Sequence, residues 1–240
     1  RGRSMSRRIR KHANPFTVQT ALGTLDRVAL FGRAAPLEVD LGCAGAGLLF
    51  ERARNHPERD FVGIEVRKPL VLKAMQRREL EGPPNVVVFH ANANVNVKAL
   101  AEPGVICMFH VHFPDPCYKK KHHKRRILQP RLVRDMAEVL PIGGQVYLQS
   151  DVRLLAEEMY RFMAEDGAFE SRLGGRDDLR QPAPIDEKTE WERQHEREGE
   201  PIHRMLFEKV REPSGPVPEP LFVDVNPLRT GENVPREELG

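Results

Sequence analysis

The 240-residue chain carries 38 Lys and Arg against 35 Asp and Glu, a formal net charge of +3, with 40% hydrophobic and 30% charged residues. That length and apolar content suit one α/β domain with extensions and argue against a disordered or fibrous chain. No run reaches the roughly 18 apolar residues of a membrane span, and Cys43, Cys107 and Cys117 lie in or beside apolar segments, as reduced cytoplasmic thiols rather than a disulfide scaffold.

Residues 1–12 are rich in Arg and Lys with little periodicity, which predicts a flexible basic arm. A domain is expected over 13–211. Residues 212–240 hold six prolines and read as an irregular tail. Leu37–Leu41 reads as a buried strand, followed by the small-residue turn Gly42-Cys43-Ala44-Gly45-Ala46-Gly47 and a helix from about Leu48 to Asn55. Strands are expected at 61–66, 86–89, 105–109 and 145–148, with helices near 69–80, 130–140 and 154–164 and a late strand at 203–210. This alternation predicts a doubly wound, mostly parallel sheet with helices on both faces, a Rossmann-like architecture. Ligands in such sheets sit at the carboxyl ends of the strands, where Asp40, Glu65, Asn92, Asp115 and Asp151 fall.

The turn after Asp40 lets a ligand approach the backbone closely, and Glu65 suits a pair of ribose hydroxyls. No cation accompanies the turn, so a positively charged sulfonium fits the acidity of Asp40 better than a pyrophosphate. S-adenosylmethionine is therefore expected in preference to NAD. Phe113-Pro114-Asp115-Pro116 then runs into Lys119–Arg126, which holds six Lys and Arg with two His. Prolines on both sides restrict the backbone around Asp115. A cationic strip this dense repels itself unless an anion such as a polyphosphate neutralises it.

These segments, with Gly63-Ile64-Glu65-Val66-Arg67-Lys68-Pro69, Ser150-Asp151, Thr189-Glu190-Trp191-Glu192 and Gly199-Glu200-Pro201-Ile202-His203-Arg204, resemble the bacterial tRNA (guanine-N7)-methyltransferases from about Arg8 to Val210. The resemblance implies methylation of guanine N7 at position 46 of the tRNA variable loop, with S-adenosylmethionine as cofactor. It implies cofactor contacts at Asp40, Gly42, Glu65, Asn92 and Asp115, with Asp115 catalytic. It places the substrate at Lys119, Asp151, Thr189, Glu190, Trp191 and Glu192, and the RNA at Lys121, His122, His123, Lys124, Arg125 and Arg126. Asp151 or Glu192 could accept from guanine N1–H and N2–H₂, and Trp191 could stack on a base or fill the core. Thr189 reads as a helix N-cap.

The chain departs from the family pattern at several places. Ala44 and Ala46 stand where glycines are usual, so the turn must accommodate two methyl groups. Asn92 replaces a common Asp, Cys117 a usual Trp, and Tyr118 a common Pro or His. The same residues also suit a tRNA-binding protein of this fold with weak or lost methyl transfer, or a methyltransferase for another RNA. His110, His112, Asp115, Cys117, His122 and His123 raise a zinc site, but without C-x-x-C or H-E-x-x-H, and beside lysines, no metal is expected. A cationic environment also makes Cys117 a conceivable nucleophile. The chain is expected to be a monomer or homodimer.

Overall fold

The computed structural model describes residues 13–226; the predicted basic arm and the last part of the predicted tail lie outside them. The strands are β1 (Leu37–Leu41), β2 (Asp60–Glu65), β3 (Val86–His90), β4 (Ile106–His112), β5 (Gln145–Ser150), β6 (Phe169–Ser171) and β7 (His203–Lys209). The helices are α1 (Arg27–Phe31), α2 (Gly47–Asn55), α3 (Lys68–Glu81), α4 (Ala93–Asn96), α5 (Pro130–Val139), α6 (Arg153–Asp166) and α7 (Glu190–Glu198).

The sheet order is β3-β2-β1-β4-β5-β7-β6. The first five strands run parallel, while β7 is antiparallel to both β5 and β6. Every residue of β1 and β2 is buried, as expected for parallel strands covered on both faces. Between β1 and β4 the connections depart in opposite directions, which opens a crevice at their carboxyl ends. One face packs Val39, Leu41, Ile64, Phe109, Val111 and Leu148 against α5 and α6. The other packs Phe61, Val86 and Val88 against Leu49, Phe50, Val71 and Ala74 from α2 and α3.

That second face turns polar toward β4 and β5. Buried Glu38 accepts from both Arg52 Nε and Nη2 at 2.8 Å, and lies 2.9 Å from His110 Nε2. Burial opposes its charge, but the hydrogen bonds from His110 and Arg52 win and hold its carboxyl well below the usual range. Arg52 reaches on to Glu187 at 2.7 Å, and Arg193 to Glu51 at 2.7 Å. These ion pairs dock α7 and the segment before it over α2. Breaking one member of the buried Arg52–Glu187 pair costs about 3–5 kcal/mol, because the other charge is stranded.

β4 runs three residues further than the apolar pattern predicts, because His110 and His112 continue it inside the sheet. The segment 212–226 has no regular secondary structure, as expected, yet it is strapped to α5 and α6. Arg134 donates to the carbonyls of Gly215 at 2.9 Å and Ser214 at 3.2 Å, and Val225 is fully buried.

Candidate cofactor pocket and nucleic-acid face

The pocket is built from strand ends. Asp40 lies one residue before the end of β1, opposite Gly63 of β2 and His110 of β4. Burial, reinforced by the charge of Glu65, pushes its carboxyl up to about 8. A buried acid with no paired cation among the described residues favours a positively charged ligand, which would restore its ionised form. Gly42 follows with φ +88°, a conformation open chiefly to glycine. A Cβ on Gly63 would stand 2.6 Å from Cys43 Sγ, so glycine there lets the turn close onto β2.

The two alanines at the family's glycine positions keep the glycine conformation. Ala44 has φ 49° and Ala46 φ 57°, both left-handed. Alanine held in this conformation carries a cost in backbone strain. Ala44 N–H is fixed on Glu65 Oε2 at 3.0 Å. Arg67 holds the same carboxylate through its own N–H at 2.9 Å, its Nε at 3.0 Å and its Nη2 at 2.8 Å. Burial lowers the Arg67 pKa, but the Glu65 hydrogen bonds raise it above the ordinary value, with the charge of Asp115 adding to them. Arg67 thus clamps the Glu65 carboxylate, a role that spacing alone did not assign.

Asn92 follows β3 and caps α4, its Oδ1 accepting from Asn94 N–H at 3.1 Å and its Nδ2 donating to Pro15 O at 3.0 Å. It therefore draws the segment around Pro15 onto the pocket rim. Asp115 lies just past β4 on a turn whose flanks are both left-handed, Phe113 at φ 48° and Cys117 at φ 48°. Its Oδ1 accepts from Cys117 N–H at 2.9 Å. Four non-glycine residues with positive φ therefore surround one crevice, a clustering typical of functional sites. Cys117 is buried, and burial with the Asp115 charge pushes its thiol up to about 12. That removes the nucleophile reading, since a thiol at this value is protonated at neutral pH.

Beyond the crevice the basic run forms a 3₁₀ helix, Lys120–Arg125. With three residues per turn, positions i and i+3 share a face. Lys121 and Lys124 share the outward face and are exposed, with Lys119 and Lys120 exposed beside them. His122 and Arg125 lie on the flank. His123 and Arg126 point inward and are buried. Arg126 Nη1 bonds both oxygens of buried Glu158, at 2.8 and 2.7 Å, and its Nε donates to Pro116 O at 2.8 Å. Its guanidinium lies 6.0 Å from the Phe222 ring, which also packs on His123. The expectation that Arg126 and His123 face RNA is therefore corrected: both anchor the turn to α6 and the tail.

The remaining substrate candidates converge at α7. Thr189 caps the helix as predicted, its Oγ1 accepting from Glu192 N–H at 3.0 Å. Glu190 is exposed and Trp191 half-buried. Glu192 is turned inward against Arg204 Nη2 at 2.9 Å, which disfavours it as an acceptor for a base. Asp151 stays partly exposed just past β5, its Oδ2 3.5 Å from His195 Nε2. Sequence reading passed over His195, although it follows Trp191 at helical i+4 spacing. His110 is committed to Glu38, away from the basic turn. Among the described residues no cluster of three or more His, Cys, Asp or Glu could hold a metal ion, and no helix is long and apolar enough to cross a membrane.

Acidic strand ends around a left-handed, backbone-lined turn, in a sheet of this order, define an S-adenosylmethionine-dependent methyltransferase of the doubly wound class. Residues 34–205 match the family model described as "Putative methyltransferase". Solved structures share the fold at low identity: the 16S rRNA methyltransferase KamB has a TM-score of 0.51 at 16% identity, covering 77% of this chain and 92% of that one. Closer in sequence are curated proteins named tRNA (guanine-N(7)-)-methyltransferase. The one from Trichormus variabilis is 35% identical over 209 residues, 85% of this chain and 96% of that protein. Another, from Synechococcus sp. strain JA-3-3Ab, is 39% identical over 213 residues, 86% and 88% of the two chains. The chain belongs to the tRNA (guanine-N7)-methyltransferase family.

Proposed function

We propose that this protein methylates N7 of a guanine in the tRNA variable loop, at position 46. The observation that carries this reading is the placement of Asp115. It stands on a strained, backbone-locked turn between the acidic pocket of Asp40 and Glu65 and the exposed lysines at 119–121 and 124.

S-adenosylmethionine, when bound, supplies the methyl group on a cationic sulfonium. Asp40, Gly42, Glu65, Asn92 and Asp115 would hold it, Asp40 answering its positive charge. Guanine N7 carries a free lone pair, so no base is needed to remove a proton first. The work left to the protein is orientation and charge stabilisation. The Asp115 carboxylate offsets the positive charge that grows on the purine. Asp151 accepts from the guanine N1–H and N2–H₂ edge, which selects guanine over adenine. Lys119 reaches toward the substrate, while Thr189 and Glu190 open the helix that presents Trp191 beside it. Glu192 supports that helix through Arg204. Lys121 and Lys124, flanked by His122 and Arg125, track tRNA phosphates. The protein works on tRNA in the cytoplasm, as a monomer or homodimer.

The test is incubation with a tRNA transcript and labelled cofactor, followed by mapping through chain cleavage at N7-methylguanine. Label at the variable-loop guanine is expected; label elsewhere would sink the position, and tRNA binding without transfer would favour the binding-protein alternative.

A further inference from the structure

His195 has no part in the reading above, although the fold converges on it. It is buried on α7, one turn beyond Trp191. Its Nε2 lies 3.5 Å from Asp151 Oδ2 and its Nδ1 3.5 Å from Glu200 Oε2, just past the helix. Its ring is stacked on Phe113, with centroids 5.8 Å apart and planes at 4°, and tilted against Trp191 at 5.4 Å and 54°. The β4 turn, the end of β5 and α7 thus meet on one imidazole.

We infer that His195 is a positioning residue for guanine specificity, fixing the Asp151 carboxylate so that it can accept from the base edge. The inference rests on Asp151 reading that edge, as proposed above. A carboxylate that accepts from two parallel donors must be held in their plane, whereas the terminal torsion of an Asp side chain is broad and soft. A ring nitrogen 3.5 Å from Asp151 Oδ2 supplies that restraint. Phe113 and Trp191 in turn keep the imidazole from rotating. At 3.5 Å the contact is ionic and longer than a good hydrogen bond; such contacts tighten when substrate arrives. Two carboxylates, Asp151 and Glu200, face the ring, one at each nitrogen. Because Phe113 is also the left-handed residue that opens the Asp115 turn, the stack joins the base-reading acid to the reacting centre.

The experiment compares single-turnover methylation of two transcripts, one with guanine at the target and one with inosine. Inosine keeps N7 and N1–H but lacks the 2-amino group. Wild type should prefer guanine by about tenfold or more, as loss of one hydrogen bond to a charged group gives. H195F and H195M keep apolar bulk in the stack and remove the nitrogens, so the test does not depend on one variant folding. Both should shrink the preference to about twofold or less, with S-adenosylmethionine affinity and thermal midpoint near wild type. H195Q restores a side-chain donor and should recover most of the preference. A guanine preference that survives H195F and H195M overturns the inference. So does a loss that falls equally on both transcripts, because that marks a merely structural residue. Wild type that methylates both transcripts equally overturns it too, whereas wild type that methylates neither sinks the broader function instead.

Discussion

At the residue scale the pocket acids have different work. Asp40, pushed up to about 8 by burial, is protonated in the cofactor-free protein at neutral pH. A cationic ligand favours its ionised form, so binding below that value must expel a proton. Affinity for S-adenosylmethionine should therefore rise with pH and level off above about 8, by at most about tenfold per pH unit. Calorimetry at pH 6 and 8.5 measures this, and Asp40→Asn should flatten the response. An equal slope in that variant would remove Asp40 from the cofactor's charge balance. Asp115, in the role proposed for it, acts mainly in the transition state. Asp115→Asn keeps the shape and the capacity to accept from Cys117 N–H while removing the charge. Its kcat should fall about 100-fold or more, with tRNA affinity within about twofold. A parallel loss of binding would show that Asp115 holds substrate instead of stabilising charge.

At the element scale the basic 3₁₀ turn divides into exposed lysines and inward-turned His123 and Arg126 what the sequence prints as one charge run. Lys121→Glu with Lys124→Glu should weaken tRNA binding and flatten its salt dependence by about two units of slope, leaving thermal stability near wild type. Arg126→Ala should do the reverse, lowering stability by about 3–5 kcal/mol because Glu158 is left buried and unpaired. Denaturant melts and salt titrations of the two variants decide the partition; a salt slope unchanged by the lysine reversals would make the strip a solvated loop. This division marks where the sequence stopped being legible. The strands other than the short edge strand β6 were readable as apolar runs, and the acids at their ends followed from the alternation of strand and helix. The helical phase of Lys119–Arg126 was not, because a charge run has no hydrophobic periodicity to reveal which residues turn inward. Nor was the burial of Glu192, whose partner Arg204 comes from antiparallel β7 and meets it only through the tertiary fold. The strain at Ala44 and Ala46 was half visible: the family's glycines marked the positions, but only the backbone shows that alanine adopts their conformation.

At the scale of the whole molecule, the buried polar layer makes stability depend on pH with opposite signs on two sides. His110, His112, His123 and His203 all have pKa values lowered by burial. Below about 6.5 the unfolded chain takes up protons that the native protein refuses, so stability falls as the pH drops. Each such proton contributes a slope of about 1.4 kcal/mol per pH unit. Asp40 works the other way. Between about 4, its unfolded value, and about 8, the native protein keeps a proton that the unfolded chain has released, so stability falls as the pH rises. Below about 6.5 the four histidines outweigh the acids raised by burial, Asp40, Asp135 and Glu158, and above it Asp40 acts with the histidines already neutral in both states. The thermal midpoint of cofactor-free protein should therefore peak near pH 6.5, falling steeply toward pH 5 and gently toward pH 8. Scanning calorimetry across that range reads the profile. His112→Phe, which keeps a ring between His110 and Tyr147, should make the acid limb shallower by one proton's worth of slope. Asp40→Asn should abolish the gentle alkaline limb and steepen the acid limb by about one proton's worth of slope. An alkaline limb that persists in Asp40→Asn would place the linkage in another buried group and free the cofactor pocket from any role in the stability of the fold.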